Sequence, residues 1–214
     1  MLLTGILLVA VFSPLLALRE IQVYGTSRLD PVTLQEAVDG QLGTPLALLD
    51  DDRITRELGA FPLIRSYTTE VLPPGTLAIH IVERQPIGVV KAGSDFDLVD
   101  PAGIVVESTA ARPEGVALIQ LGAAEVGDKL FLSMTDVLLA LPPEVLVRVD
   151  TIAATTKDDV TLTLVGSNQR VVWGSSERAS TKAAELAWLL AIHGGSGGGE
   201  YDVSAPGSAV FRAD

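Results

Sequence analysis

Residues 61–84, FPLIRSYTTEVLPPGTLAIHIVER, carry the strongest structural signal in this chain of 214 residues. Ile64–Leu72 and Leu77–Arg84 each alternate polar and apolar side chains, which is typical of a β-strand with one buried face. Between them, Pro73–Thr76 has the composition of a tight turn, because proline and glycine adopt the backbone angles that turns require. The stretch therefore predicts an antiparallel hairpin.

The residues before this hairpin predict one strand and two helices. Arg19–Tyr24 alternates in the same way and is followed by glycine, as at the end of a strand. Asp30 and Pro31 are typical of a helix start, with Asp30 as the N-cap residue. Asp50–Asp52 predicts the start of a second helix that ends near Leu58. The predicted order is strand, helix, helix, strand, strand.

The residues after the hairpin predict a second domain. Pro86 interrupts an apolar strand and so indicates a boundary. Helices are predicted at 131–141 and 177–192, the second with Arg178, Lys182 and Glu185 on its outer side. The predicted strands are 87–90, 96–100, 104–107, 117–121, 145–153, 160–165, 169–173, 200–204 and 209–212. We therefore predict an α+β chain whose second domain, 86–214, is mostly antiparallel β structure with two helices.

The first eighteen residues, 1–18, contain no Asp, Glu, Lys, Arg or His. As a helix they would extend about 27 Å, close to the roughly 30 Å of a bilayer core, so we predict a transmembrane anchor. A signal peptide is an alternative, although no basic residue precedes the run and Leu16-Ala17-Leu18 is a poor cleavage site. A buried core helix is a third interpretation, which the lack of a polar face disfavours. Because basic residues usually flank such helices on the cytoplasmic side, we expect a cytoplasmic head before Met1.

Composition and motifs argue against several classes of function. The chain has no cysteine, which excludes disulfides and thiol nucleophiles, and its net charge of −12 argues against binding nucleic acid or anionic lipid electrostatically. The acidic triplet 50–52 could suggest a metal site, but helix capping explains it better. His80 and His193 are too few for a histidine-rich metal site, and the glycine-rich stretch 194–199 lacks the residues of a phosphate loop. We expect no enzyme activity, catalytic residue, metal, cofactor or small-molecule substrate.

Three segments together resemble a known family. They are REIQVYGTSRL (19–29), PLALLDDDRITRELGAFPLIRSYTTEVLPPGTLAIHIVERQPIGVV (45–90) and FDLVDPAGIVV (96–106). Trp173 and Gly174, followed by Lys182 and Leu186, add a strand-to-helix pattern. This order and spacing resemble the POTRA domain and β domain of the FtsQ/DivIB family of bacterial cell-division proteins. The resemblance implies an anchor at 1–18, a POTRA domain at 19–85 and an FtsQ-type β domain at 86–214.

The resemblance also implies a function through protein contacts. Family members are single-pass proteins of the bacterial inner membrane whose C-terminal part is extracytoplasmic. They help to assemble septal cell-wall synthesis at mid-cell, and they bind FtsB (DivIC), which pairs with FtsL. A POTRA protein of polypeptide secretion or outer-membrane assembly, and an anchored exported enzyme, are the alternatives.

The closing segment YDVSAPGSAVF (201–211) resembles the family's C-terminal segment. By residue type and order, Tyr201, Val203, Ala205 and Phe211 are the partner-binding residues that the resemblance implies. A short last strand at a sheet edge is also a template for strand addition by a partner. The alternative for Tyr201 and Phe211 is that both fill the core of the last strand pair.

Overall fold

The structure is a computed structural model that describes residues 14–167, 169–193 and 197–214. These residues form two compact units, one ending at Arg84 and the other beginning at Gln85. Most of the predicted anchor, residues 1–13 of 1–18, lies outside the described residues, and Pro14–Leu16 forms one 3-10 turn. In the part that is described, no helix is long and apolar enough to cross a membrane.

The first unit has the predicted order of strands and helices. Its elements are β1 (Glu20–Tyr24), α1 (Pro31–Ala37), α2 (Asp51–Leu58), β2 (Ile64–Leu72) and β3 (Thr76–Glu83). The three strands form a sheet in the order β1-β3-β2, with β1 parallel and β2 antiparallel to β3. The hairpin and the α+β, POTRA-like arrangement are therefore confirmed.

Two aspartates begin the helices of this unit. The Asp30 carboxylate accepts hydrogen bonds from the N–H groups of Val32 (3.3 Å) and Thr33 (3.1 Å), and Asp50 accepts one from Arg53 N–H (2.9 Å). Both therefore cap free N–H groups, as predicted. Within the described ranges, no three His, Cys, Asp or Glu residues are grouped as metal ligands. The helices bury aliphatic side chains against the sheet, among them Leu34, Ile54, Leu58, Leu77, Ile79 and Ile81.

The second unit is built on one nine-stranded sheet. Its strands are β4 (Gly88–Ala92), β5 (Asp95–Val99), β6 (Val105–Thr109), β7 (Leu118–Gln120), β8 (Val149–Ala154), β9 (Val160–Leu164), β10 (Gln169–Gly174), β11 (Gly199–Asp202) and β12 (Val210–Ala213). Its helices are α3 (Lys129–Ala140), α4 (Pro143–Leu146) and α5 (Ala179–His193). The strand order is β12-β11-β10-β9-β8-β7-β4-β5-β6.

The sheet is mixed, with five antiparallel and three parallel pairings. Two of the parallel pairs, β7–β8 and β10–β11, are joined through α3 and α5, because parallel neighbours need a long crossover connection. The strand predicted from Val145 begins only at Val149, since Pro143–Leu146 forms the short helix α4. Among the described residues this unit therefore has three helices where two were predicted.

Helices α3 and α5 pack against each other and the sheet, and they bury the largest apolar side chains of the unit. Trp173, Phe131 and Tyr201 are all inaccessible to solvent. Lys182 was predicted on the outer side of α5, but it is only 1% exposed. Its Nζ donates hydrogen bonds to the carbonyls of Trp173 (3.1 Å) and Ser175 (2.9 Å), and these bonds allow the charged group to lie inside.

Candidate partner-binding edge of the second unit

Strand β12 is one edge of the nine-stranded sheet. It pairs antiparallel with β11, in the register Glu200 with Arg212, Tyr201 with Phe211 and Asp202 with Val210. The other neighbour position of β12 is empty among the described residues. In an antiparallel ladder every second residue directs its N–H and C=O away from its partner strand, so β12 presents backbone groups that a further strand can pair with.

Three aromatic rings support this edge from the helical side. Tyr201 and Phe211 lie opposite each other, with ring centroids 4.6 Å apart. Phe211 also stacks on His193, the last residue of α5, at 4.7 Å and an interplanar angle of 19°. Burial raises the pKa of the Tyr201 hydroxyl, against smaller opposing effects of Arg148 and Gln169. The end of α5 and the edge strand are thus held together by a packed aromatic row.

The other side of the edge carries a row of charges, because side chains alternate between the two faces of a strand. Arg170, Glu200 and Arg212 are in register across β10, β11 and β12. The guanidinium of Arg212 lies 3.1 Å from the Glu200 carboxylate and 3.5 Å from that of Asp202. The Ser204 hydroxyl donates a hydrogen bond to the Asp202 carboxylate at 2.7 Å. This bond lowers the pKa of Asp202, and the Ser204 N–H and Arg212 lower it further, whereas partial burial opposes the shift.

The loop between β11 and β12 is fixed to α5. The Gly207 N–H donates to the Glu185 carboxylate at 2.7 Å, and the Ser208 N–H donates to the Ala205 carbonyl at 3.0 Å. Gly207 has a φ of 87°, a conformation that glycine adopts without steric cost. These contacts set where the chain turns before it returns as β12.

The four residues predicted for partner binding have different environments. Tyr201 and Val203 are fully buried in the core of the unit, Phe211 is half-buried, and Ala205 is exposed in the loop. The structure therefore brings Tyr201 and Phe211 together, and the core-filling alternative describes Tyr201. Sequence reasoning did not connect His193 or Arg212 with this edge. Alternation along β12 predicts that Arg212 and Phe211 lie on opposite faces of the strand. No spacing in the sequence predicts that His193 stacks on Phe211.

Comparison with known families and proteins agrees with this architecture. Residues 16–84 match the family described as "POTRA domain, FtsQ-type", and residues 88–200 match "Cell division protein FtsQ/DivIB, C-terminal". The chain is 33% identical over 197 residues to "Cell division protein FtsQ" of Mycolicibacterium smegmatis, covering 91% of this chain and 57% of that protein. It is 33% identical over 203 residues to the protein of the same name from Streptomyces bingchenggensis, covering 89% of this chain and 74% of that protein.

A third relative, "Cell division protein FtsQ" of Mycobacterium leprae, is 34% identical over 205 residues, which are 94% of this chain and 58% of that protein. The chain thus spans less than two thirds of the length of the two mycobacterial relatives. Among solved structures, the extracytoplasmic domain of the division protein DivIB from Geobacillus stearothermophilus matches 52% of this chain with a TM-score of 0.36 and 21% identity.

Proposed function

The chain belongs to the FtsQ/DivIB family of cell-division proteins, and from that membership we propose that it is a bitopic scaffold of the divisome. In this proposal the N-terminal apolar run anchors the chain in the cytoplasmic membrane, and both folded units are extracytoplasmic. The second unit binds FtsB (DivIC), which is paired with FtsL, and so helps to assemble septal cell-wall synthesis at mid-cell.

The observation that carries the proposal is the edge position of β12. A strand with one unpaired side gains backbone hydrogen bonds when a partner segment adds to it, and side chains on both faces then supply specificity. Only four residues long and bearing Arg212, β12 has the features by which edge strands avoid indiscriminate pairing. It is therefore suited to one specific partner segment.

The two faces of the edge specify what that segment contains. On the helical side, Phe211 is half-buried beside His193, so an apolar side chain on the added strand would cover the remaining ring surface. On the opposite side, Arg212 offers donors to an acidic or polar side chain, although Glu200 already accepts from it. An extended tail that alternates apolar and acidic residues fits both faces.

Phe211 is the side chain for which we retain the partner-contact role, with Ala205 as an exposed neighbour in sequence. Tyr201 and Val203 contribute indirectly. Their buried side chains fix the position of β11, and β11 in turn positions β12. Removing either would affect the partner through the fold of the edge.

The test is titration of the full chain, in detergent or nanodiscs, with a peptide of the extracytoplasmic FtsB-like tail. Phe211→Pro and Arg212→Pro are made separately, since one of the two adjacent N–H groups points away from β11 and can be lost without breaking the existing ladder. We expect the variant that keeps its native unfolding transition to bind the peptide at least about tenfold more weakly. This change corresponds to about 1.4 kcal/mol of binding free energy.

The opposite edge strand provides the matched control. Glu107→Pro and Ser108→Pro place the same change in β6, which pairs with β5 and is the other edge of the sheet. The β6 variant that keeps its native unfolding transition should bind the tail as the unmodified chain does. Equal loss at both edges, or full affinity in a folded β12 variant, would contradict the proposed interface. An FtsL-like tail alone is the negative control for partner identity.

A further inference from the structure

One end of the first unit carries a cluster of exposed aliphatic side chains. A groove of about 350 Å³ is lined by Leu16, Leu46, Ala47, Val71 and Pro73. In the segments that line the groove or precede them directly in the chain, five large apolar side chains are exposed, namely Leu15, Leu42, Leu48, Val71 and Leu72. We call these residues and the groove the apolar end. An exposed apolar groove is one of the features that mark binding surfaces.

Backbone contacts hold three separate segments together at this end. Leu18 exchanges hydrogen bonds with the 43–44 segment, from Leu18 N–H to Thr44 O and from Gly43 N–H to Leu18 O, both at 2.8 Å. Arg19 N–H donates to Gly75 O in the hairpin turn at 2.7 Å. The segment that leads into β1, the connector before α2 and the β2–β3 turn therefore form one surface.

We propose that the apolar end inserts into the acyl region of the lipid leaflet next to the anchor. This inference rests on the proposed membrane anchor and extends it to the folded unit. The apolar end is continuous in the chain with residues 1–13, which contain no charged side chain. If residues 1–13 lie in the bilayer, the apolar end lies next to it, and lipid hydrocarbon is therefore the partner that we infer for this surface.

In this arrangement Arg19, the first charged side chain of the sequence, lies at the level of the phosphate headgroups. The exposed Arg19 guanidinium donates to the Leu15 carbonyl at 2.6 Å, so its charge is held beside the apolar end. Arginine at such a boundary typically keeps its head in the polar interface while neighbouring apolar groups are submerged. The net charge of −12 means that apolar contact, rather than attraction to anionic lipid, drives the insertion.

The absence of cysteine makes this inference directly measurable, because one introduced cysteine is the only thiol. The full chain carries Leu48→Cys or Val71→Cys, labelled with an environment-sensitive fluorophore, in phosphatidylcholine vesicles. Doxyl groups on the acyl chains quench the label only if it lies within the hydrocarbon. Val82→Cys is the control, since Leu48 and Val82 are each 50% exposed. Val82 lies six residues along β3 from the apolar end, about 20 Å away.

We expect quenching at Leu48 and Val71 to be at least about twofold greater than at Val82, as for groups submerged about 5–10 Å. Vesicle flotation of the same samples separates the two claims. A chain that does not float overturns the membrane anchor and the insertion together. If the chain floats but the labels at positions 48 and 71 are quenched no more than the label at position 82, the insertion alone is overturned. Disulfide-linked dimers through Leu48→Cys, without quenching, would assign the apolar end to a second copy of the chain and likewise overturn it.

Discussion

Tyr201 and Phe211 face each other across the last two strands with their ring centroids 4.6 Å apart, but only one of the rings is fully buried. Tyr201 lies in the core between the sheet and α5, whereas Phe211 is on the edge strand and only partly buried. The pair therefore links the stable interior of the second unit to the strand that we propose as the partner site. Substitutions at the two positions should separate stability from binding.

Tyr201→Ala should strongly destabilise the second unit. Replacing a fully buried aromatic residue with alanine leaves a cavity and costs about 3–5 kcal/mol. Phe211→Ala should cost less, about 1–2 kcal/mol, because part of the Phe211 side chain is already in solvent. Denaturant unfolding followed by tryptophan fluorescence measures both, since Trp173 lies in the same core. Equal destabilisation by the two substitutions would show that Phe211 is as integral to the core as Tyr201.

Arg212→Ala should leave the fold intact. Its ion pairs with Glu200 and Asp202 are largely exposed, and such pairs contribute about 0–1 kcal/mol. The unfolding free energy should therefore change by less than about 1 kcal/mol, and the small change should shrink further in high salt. This variant then reports the contribution of the charge to partner binding without a loss of stability. A cost of several kcal/mol would mean that the charge row is structural.

Glu83 should make the first unit sensitive to acid. Its buried carboxylate accepts hydrogen bonds from the N–H groups of Ser27 (2.8 Å) and Leu29 (3.0 Å) and from the Ser27 hydroxyl (2.8 Å). Burial raises the pKa of Glu83, but these hydrogen bonds outweigh it and hold the pKa at about 2, compared with 4.5 for an ordinary glutamate. The carboxylate thereby fixes the turn after β1 to the end of β3.

The direction of the pH dependence follows from that lowered pKa. Below pH 4.5 the unfolded chain binds a proton at Glu83 that the folded unit does not, so this stabilisation is complete above pH 4.5 and is lost towards pH 2. The shift corresponds to about 3 kcal/mol. Glu83→Gln should lower the unfolding free energy near neutral pH and flatten its decrease under acid. Glu36→Gln, an exposed change in α1, is the control and should alter neither.

Lys182→Ala should destabilise the corner between β10 and α5. Burial lowers the pKa of Lys182, with a further contribution from Arg178, yet its Nζ still donates to the carbonyls of Trp173 and Ser175. Losing these bonds and the buried side-chain volume should cost about 2–4 kcal/mol. Lys157→Ala, at a mostly exposed lysine, should change stability by less than about 0.5 kcal/mol. Thermal unfolding of both variants tests this difference.

Local patterns in the sequence predicted the first unit well. Alternation identified the β2–β3 hairpin, and Asp30 and Asp50 identified two helix starts, because each of these signals acts within a few residues. The buried role of Glu83 was not predictable in the same way. Its hydrogen-bond partners are more than fifty residues away in the chain, so only the folded sheet brings them together.

The second unit shows where such reasoning fails. A helical wheel predicts Lys182 on the outer side of α5. In the structure its ammonium group lies inside and donates hydrogen bonds to the carbonyls of Trp173 and Ser175 at the end of β10. The resemblance implies a partner contact for Tyr201, but local patterns do not show that this residue is fully buried in a strand parallel to β10. The helices between β7 and β8 and between β10 and β11 already implied parallel pairing, a signal present in the sequence.

Hydrogen exchange of the full chain with and without the FtsB-like tail tests the central claim most directly. Strand addition at β12 predicts that backbone amides within Val210–Ala213 become protected on binding, because edge N–H groups acquire carbonyl partners. The amides of β6, Val105–Thr109, should exchange as before. Saturating binding of the tail with unchanged exchange in Val210–Ala213, and protection elsewhere, would contradict the account.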